Sequence, residues 1–324
     1  MRAVVCSELG PAGNLSLQEV PDPVAGSGEV VIDVRAAALN FPDTLVIEGK
    51  YQFQPELPFI PGGEASGVVS ALGDGVAGVE VGSPVIAMGL AGAFAEQWGV
   101  PAASLMPKPE KLTFEEAAAF GLTYGTSYYA LKQRANLQAG ETLLVLGAAG
   151  GVGSSAVEIG KAMGARVIAA ASTDEKLAFA VEMGADEGIN YTNEDLRERI
   201  KELTGGAGVD VVYDPVGGDL SQPALRSTAW NGRFLVIGFA AGTIPEIPLN
   251  LMLLKGVSVV GVFWGSWSGR DPAASMRNFG ELFAMVEEGR LHPRVTDVFR
   301  LEEYEAAFGA LTERRARGKV VLTV

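Results

Sequence analysis

Three glycines after an apolar run are the residues with the clearest chemical meaning in this sequence. They are Gly150, Gly151 and Gly153, lying between the apolar run Thr142–Leu146 and the helically spaced segment Val152–Met163. Glycines at such a turn let backbone N–H groups approach a ligand, and a helix N-terminus favours an anion. A second buried strand over Arg166–Ala171 completes the unit that binds the pyrophosphate of a dinucleotide. The alternative is a turn that only lets a helix and a sheet pack closely.

The end of the second strand indicates which dinucleotide this would be. NAD-specific sites end that strand with Asp or Glu, which accepts a hydrogen bond from the ribose 2′-OH. The position holds Ala171 here, so a 2′-phosphate meets no like charge there. Ser172 can donate a hydrogen bond to that phosphate, and Lys176 can supply a cation, although a solvated helix lysine is the alternative. The sequence therefore predicts NADPH rather than NADH.

Composition limits the class of protein. The 324 residues suffice for two domains, and the net charge of −14 argues against nucleic acid or an anionic membrane as partner. Spanning a bilayer takes roughly 20 apolar residues, and every apolar run of that length here is interrupted by glycine or by a charged residue. The N-terminal segment turns polar at Ser7, unlike a signal peptide. We expect a soluble, cytoplasmic protein with a small-molecule substrate.

The counts of cysteine and histidine bear on metal binding. Structural zinc takes about four Cys or His ligands, and catalytic zinc takes about three protein ligands. The chain has one of each, Cys6 and His292. The sequence therefore predicts no zinc site and no disulfide within the chain, with Cys6 as a buried, inert thiol and His292 at the surface.

The chain divides into two regions of different pattern. Residues 1–120 contain short strand-like runs between turn signals, which is typical of a mainly β, barrel-like domain. The runs are Glu29–Ala36, Ala65–Ala71, Ser83–Met88 and Phe94–Val100. Helices are predicted near 114–120 and 124–133, after which strands and helical segments alternate. This predicts an α/β fold with a doubly wound, Rossmann-type parallel sheet. Its strands are Thr142–Leu146, Arg166–Ala171, Glu187–Tyr191, Val209–Tyr213, Arg233–Ile237 and Val257–Phe263.

The last part of the chain is predicted to return to the first domain. Helices near Ala274–Glu288 and Leu301–Arg315 precede a final strand, Lys319–Thr323. The predicted domains are therefore residues 1–122 with 266–324, and residues 123–265.

Four spaced motifs resemble those of a known family. They are Gly62-Gly63-Glu64-x-x-Gly67-x-Val69, Gly121-Leu122-Thr123, Ala148-Ala149-Gly150-Gly151-Val152-Gly153 and Gly318-Lys319-Val320-Val321. With the order of the domains, they resemble the medium-chain dehydrogenase/reductase superfamily, and within it the zinc-free NADPH:quinone oxidoreductase group. Zinc enzymes of this superfamily carry histidine at the position of Gly63 and cysteine at the position of Asn40, so the resemblance also implies no zinc.

The resemblance implies a GroES-like first domain and hydride transfer from NADPH, bound between the domains, to an electron-poor acceptor. It also implies the residues of the cofactor site. The loop residues are Gly150, Gly151 and Val152; the 2′-phosphate residues are Ser172, Lys176 and Tyr191; the nicotinamide residues are Asn40, Thr126, Phe239 and Trp264. Arg314 matches a phosphate-binding arginine of some members, with Arg315 and Arg317 as alternatives.

Hydride transfer needs few side chains beyond those that position the reactants. The acceptor carbon must lie close to the nicotinamide, and donors must face the oxygen on which charge builds. Candidate donors are Asn40, Tyr51 and Thr126. Tyr51 is the candidate to donate a proton or orient the acceptor, with water as the alternative. Asp43 is either a helix-capping residue or a site residue, and Glu64 is expected to serve structure.

Three functions are compatible with these residues. The first is a quinone reductase, and the second is a reductase of the conjugated C=C bond of enals, enones or enoyl thioesters. The third is a non-enzymatic nucleotide-binding protein. The apolar strand Val257–Phe263 also predicts a sheet edge that pairs with a second subunit in a homodimer, unless the preceding loop covers it.

Overall fold

A computed structural model describes all 324 residues, which form two compact units. The first unit contains Met1–Leu122 and Pro293–Val324, and the second contains Thr123–His292. None of the helices combines the length and the apolar character that crossing a membrane requires.

The first unit is built mainly from β-strands. A seven-stranded sheet has the order β14-β15-β3-β4-β5-β7 with β6 paired to β3, and β1 and β2 form a separate antiparallel pair. The strands are β1 Arg2–Cys6, β2 Leu15–Glu19, β3 Glu29–Leu39, β4 Glu64–Leu72, β5 Pro84–Met88, β6 Gln97–Pro101, β7 Leu105–Pro107, β14 Val295–Arg300 and β15 Lys319–Thr323. The helices of this unit are α1 Phe41–Ile47, α2 Phe114–Ala118 and α11 Tyr304–Thr312. The predicted mainly β domain is confirmed.

The end of the chain completes the sheet of the first unit, as predicted. Strand β15 pairs antiparallel with β3, with Val320 opposite Leu39. Strand β14 pairs parallel with β15 and was not predicted, because Asp297 lies on the half-buried face and Val298 on the exposed face, so Val295–Arg300 shows neither an apolar run nor an apolar/polar alternation. The helix predicted over Leu301–Arg315 is shorter at both ends, spanning Tyr304–Thr312.

The second unit contains the predicted doubly wound sheet. All six strands are parallel in the order β10-β9-β8-β11-β12-β13. They are β8 Thr142–Leu146, β9 Arg166–Ala171, β10 Glu187–Asn190, β11 Val209–Asp214, β12 Thr228–Val236 and β13 Ser258–Gly261. Counted from β8, this is the order 3-2-1-4-5-6 of dinucleotide-binding domains, whose ligands bind beyond the carboxyl ends of the strands. The strands read as apolar runs because helices cover both faces of such a sheet.

The helices of the second unit follow its strands. They are α3 Gly121–Tyr129, which begins in the first unit, α4 Gly151–Ala162, α5 Asp174–Glu182, α6 Leu196–Leu203, α7 Ser221–Arg226, α8 Asn250–Lys255, α9 Trp264–Arg270 and α10 Pro272–Glu287. Helix α10 lies in the second unit, where its Asn278 bonds to Gln133 at 2.8 Å and its Phe279 packs edge-on to Trp264. Residues 266–292 thus group with the second unit, whereas the sequence had assigned them to the first. The assignment of a catalytic role to one domain and of NADPH binding to the other stays a prediction.

Candidate active site

The glycine loop opens helix α4 directly after β8. Gly150 is the N-cap, has no side-chain cap, and is followed by a first turn without acidic residues. The first N–H groups of a helix have no partner within it, and together with the helix dipole they favour an anion. A Cβ atom on Gly153 would lie 2.2 Å from the Gly147 carbonyl oxygen, so only glycine lets the helix pack this close to the strand. The predicted loop residues Gly150, Gly151 and Val152 therefore stand at one anion-binding turn, which fits the pyrophosphate of a dinucleotide.

Loops from three strands meet at the same edge of the sheet. A Cβ on Gly147 would lie 2.9 Å from Val216, and a Cβ on Gly217 would lie 2.9 Å from the ring of Phe239. The Ala240 N–H donates to the Pro215 carbonyl at 3.1 Å. The predicted residue Phe239 thus lies at the carboxyl end of β12, joined to the loop after β11, where the strand order reverses.

Asp214 organises this edge and was missed in the sequence. Its Oδ1 accepts the N–H groups of Val216 at 2.8 Å and Gly217 at 2.9 Å. Its Oδ2 accepts the Ser221 hydroxyl at 2.6 Å. Asp214 ends an apolar strand and precedes Pro-Val-Gly-Gly, and that pattern was the available signal. The buried carboxylate fixes the loop on which Phe239 packs.

The three residues predicted for a 2′-phosphate come together beyond β9 and β10. Thr173 caps α5 by accepting the Lys176 N–H at 3.2 Å, which places Lys176 in the first turn of that helix. The Lys176 Nζ lies 3.4 Å from the Ser172 Oγ. Tyr191 directly follows β10, and its N–H donates to the Ala171 carbonyl at 3.2 Å. A hydroxyl and an ammonium thus stand where an NAD site has its carboxylate.

Thr126 lies in helix α3, which contacts the glycine helix α4 and packs against Trp264. Ser127, next to Thr126, contacts the Val152 carbonyl at 3.1 Å and the Tyr213 hydroxyl at 2.8 Å. A Cβ on Gly125 would lie 2.7 Å from the Trp264 ring. Helix α3 therefore contacts both the glycine loop, at Val152, and Trp264, the first residue of α9.

A buried ion pair anchors Asn40 in the first unit. Lys319 Nζ lies 2.8 Å from Glu64 Oε1, with side chains 7% and 0% exposed. The same ammonium donates to Asn40 Oδ1 at 2.5 Å and to the Leu39 carbonyl at 3.0 Å. Asn40 Nδ2 donates to Glu64 Oε1 at 2.7 Å, and Glu64 Oε2 accepts the Leu122 N–H at 2.8 Å. Glu64 serves structure, as expected.

The amide of Asn40 is thus occupied within the unit. Its oxygen accepts from Lys319, and its nitrogen donates to Glu64 and, at 3.4 Å, to the Ala38 carbonyl. Asn40 is 6% exposed. This arrangement suits a residue that positions its neighbours better than a free donor for an acceptor oxygen.

The cluster around Glu64 does not fit zinc. Zinc in proteins takes thiolate, imidazole or carboxylate ligands, and the partners of Glu64 here are an ammonium, an amide and a backbone N–H. Gly63 offers no side chain, and Cys6 and His292 are the only thiol and imidazole in the chain. The positive charge that balances Glu64 is that of Lys319.

Asp43 and Tyr51 belong to the same neighbourhood as Asn40. Asp43 lies in the first turn of α1, where its Oδ2 accepts the Asn40 N–H at 2.7 Å, so it is a capping residue. Burial raises the pKa of Asp43 to about 7, with Glu64 raising it further and the Asn40 N–H and Lys319 opposing. Tyr51 packs on the apolar core, and burial, followed by the charge of Asp43, raises the pKa of its phenol. The phenol therefore keeps its proton and remains a donor.

Arg314 lies in the loop after α11. It is exposed, its backbone adopts the left-handed conformation with φ of 57°, and its N–H donates to the Leu311 carbonyl at 3.0 Å. Arg315, the neighbouring alternative, pairs with Glu313 at 2.7 Å. Arg314 as a phosphate ligand stays a prediction.

Comparison with known proteins agrees with this geometry. The family model "Alcohol dehydrogenase GroES-like domain" matches residues 26–110, and the model "Zinc-binding dehydrogenase" matches residues 151–281. The rat quinone oxidoreductase-like protein 2 is 40% identical, covering 100% of this chain and 92% of its own length.

Two solved structures resemble the whole chain. The quinone oxidoreductase of Thermus thermophilus, solved alone and with NADPH, has a TM-score of 0.87 and 38% identity, covering 100% of both chains. The CurK enoyl reductase has a TM-score of 0.89 and 29% identity, covering 99% of this chain and 98% of its own. The chain belongs to the medium-chain dehydrogenase/reductase superfamily, in its zinc-free quinone oxidoreductase group. It is an oxidoreductase.

The raised pKa of Asp43 predicts a pH-dependent stability. Between pH 3.8 and about 7, the folded protein keeps this proton, whereas the unfolded chain releases it. The stabilising effect of the proton is therefore complete below pH 3.8 and is lost as the pH rises to about 7. An Asp43→Asn variant lacks this titration. One pKa unit is worth about 1.4 kcal/mol, so we expect the wild type to lose on the order of 2–4 kcal/mol relative to the variant across this interval.

Thermal unfolding midpoints measured against pH check this expectation. Asp74→Asn, at an exposed aspartate after β4, is the matched control and should follow the wild type throughout. Parallel curves for wild type and Asp43→Asn would contradict the assignment of the titration to Asp43.

Proposed function

We propose that this protein transfers a hydride from NADPH to a quinone. The observation that carries the choice of NADPH is the contact of Ser172 with Lys176 at the end of β9, where Ala171 replaces the carboxylate of an NAD site. Cations and hydroxyl donors at that position bind a 2′-phosphate. The relatives named quinone oxidoreductase-like protein 2 and quinone oxidoreductase, the latter solved with NADPH, support a quinone as the acceptor.

The residues of the chain would bind and orient the reactants. Gly150, Gly151 and Val152 would hold the pyrophosphate at the N-terminus of α4, and Phe239 and Trp264 would flank the nicotinamide. When bound, the nicotinamide supplies the hydride. Either Tyr51 or Thr126 is the candidate to donate a hydrogen bond to the acceptor oxygen, on which negative charge builds. Asn40, whose amide is bonded to Lys319 and Glu64, would hold the end of β3 in place.

A second candidate is reduction of a conjugated C=C bond. It uses the same hydride and the same stabilisation of a developing enolate oxygen. The likeness to an enoyl reductase favours it specifically. The phenol of Tyr51 would then supply the proton that completes the reduction.

An assay of nucleotide oxidation with two panels of acceptors tests the proposal. We expect NADPH oxidation with quinones, and a lower kcat/KM with NADH than with NADPH. Activity restricted to enones and enoyl thioesters would favour the second candidate. Silence with both panels would contradict both, and equal use of the two nucleotides would contradict the cofactor assignment.

Tyr51 is predicted to contribute a proton or a hydrogen bond to the acceptor. Tyr51→Phe removes the hydroxyl and keeps the ring on the core, so the fold should persist. We expect kcat/KM for the acceptor to fall about 10²-fold, since general acids contribute at least that much, while NADPH binding stays unchanged. Unchanged kcat/KM with every active acceptor would eliminate Tyr51 from the mechanism.

We also propose a homodimer formed through the edge of the parallel sheet. Strand β13 is the last strand of that sheet, and its Val259 is 43% exposed. Exposed apolar side chains precede it along the chain: Ile244, Leu249, Leu253 and Leu254 are 67–81% exposed. A surface of this kind beside an open edge is typical of an interface.

Light scattering after size exclusion should give twice the chain mass of 33.8 kDa. Leu253→Asp buries a charge in the proposed interface and should give a monomer at micromolar concentration. Val24→Asp, at an exposed valine of the first unit, should leave the mass unchanged. A monomeric wild type would refute the dimer.

A further inference from the structure

A carboxylate lies close to the proposed 2′-phosphate site. Asp174 begins helix α5, two residues after Ser172 and two before Lys176. An acidic side chain there can accept a hydrogen bond from a ribose 2′-OH, and it repels a 2′-phosphate. A site that takes NADPH must therefore control where this carboxylate points.

Asn190 fixes Asp174 in the structure. Asn190 ends β10 and is 5% exposed, and its Nδ2 donates to Asp174 Oδ1 at 2.7 Å. Its own Oδ1 accepts the Thr192 N–H at 3.1 Å, and its backbone N–H donates to Glu194 at 2.8 Å. Because the amide is buried and bonded through both its oxygen and its nitrogen, losing one bond costs the desolvation of a polar group.

The turn that carries Asn190 is joined to the turn after β9 by further bonds. The Tyr191 N–H donates to the Ala171 carbonyl at 3.2 Å, and the Thr192 hydroxyl donates to the Ser172 carbonyl at 2.9 Å. Asp174 is thus held on the side of β10, while the Ser172 hydroxyl lies 3.4 Å from the Lys176 ammonium. The whole arrangement belongs to one compact unit.

We infer that Asn190 is a positioning residue for nucleotide selectivity. By holding the Asp174 carboxylate, it keeps Ser172 and Lys176 available to a 2′-phosphate. A released carboxylate would accept hydrogen bonds from Ser172 or from a ribose 2′-OH and would repel the phosphate. The inference rests on the proposed use of NADPH and adds a residue that does not itself touch the nucleotide.

Dissociation constants for NADPH and NADH, measured by calorimetry, test the inference without turnover. In Asn190→Ala we expect the preference for NADPH to fall about tenfold, mainly through weaker NADPH binding, as loss of one charge-assisted hydrogen bond implies. Asn193→Ala, at an exposed asparagine of the same turn, is the matched control and should keep the preference.

A double-mutant cycle separates positioning from a general loss of structure. Asp174→Asn alone measures the effect of removing the charge, and it should restore the preference when combined with Asn190→Ala. Persistent loss in the double variant would overturn the inference, as would an unchanged preference in Asn190→Ala. Should Asn190→Ala fail to fold, the exchange Asn190→Asp with Asp174→Asn reverses the bond at unchanged net charge. That exchange should keep the preference, while Asn190→Asp alone should lose it; equal preferences in the two would overturn the inference.

Lys176→Ala distinguishes this inference from the proposed function. Removal of the ammonium should weaken NADPH binding far more than NADH binding. Equal losses for the two nucleotides would refute the NADPH site itself. Selective loss in Lys176→Ala, with no change of preference in Asn190→Ala, would refute the role of Asn190 alone.

Discussion

The first unit depends on the buried pairing of Glu64 with Lys319. These residues are 255 positions apart, and their bond, with those of Asn40 and Leu122, joins the end of β3, the start of β4, the start of α3 and the start of β15. Removing one partner of a buried pair leaves an uncompensated charge, which is strongly destabilising. The chain segments at Asn40 and Leu122 are therefore held by one buried charge pair.

In the second unit, a buried carboxylate and a closely packed glycine hold the loops at the edge of the sheet. Asp214 binds two N–H groups of one loop, and Gly153 permits a contact between α4 and the loop after β8 that no side chain would allow. The sheet fixes the positions of residues at the ends of its strands. Loops that are already held by several hydrogen bonds lose little conformational entropy when a ligand binds. The candidate residue Phe239 packs on the loop that Asp214 holds.

The sheet and the glycine loop were predictable because their signals are local. Strands β8 and β9 agree with the sequence at both ends, since a parallel strand buried on both faces is a continuous apolar run. Strand β14 and helix α9 were missed. Neither the mixed apolar and polar residues of Val295–Arg300 nor the aromatic, glycine-containing segment Trp264–Arg270 carries such a signal. The roles of Lys319 and Asn190 were also out of reach. Each role depends on a partner that only the fold brings close. No spacing in the sequence predicts a bond between residues 64 and 319.

The pairing of β15 with β3 has a consequence for synthesis of the chain. The second unit is one continuous segment, Thr123–His292, whereas the first unit needs strands from both sides of it. Once residues 1–292 have left the ribosome, the second unit has every strand of its sheet. Residues 1–122 still lack β15, the strand that brings Lys319 to Glu64. Domains fold as units during synthesis. The second unit is thus the first that can complete its fold.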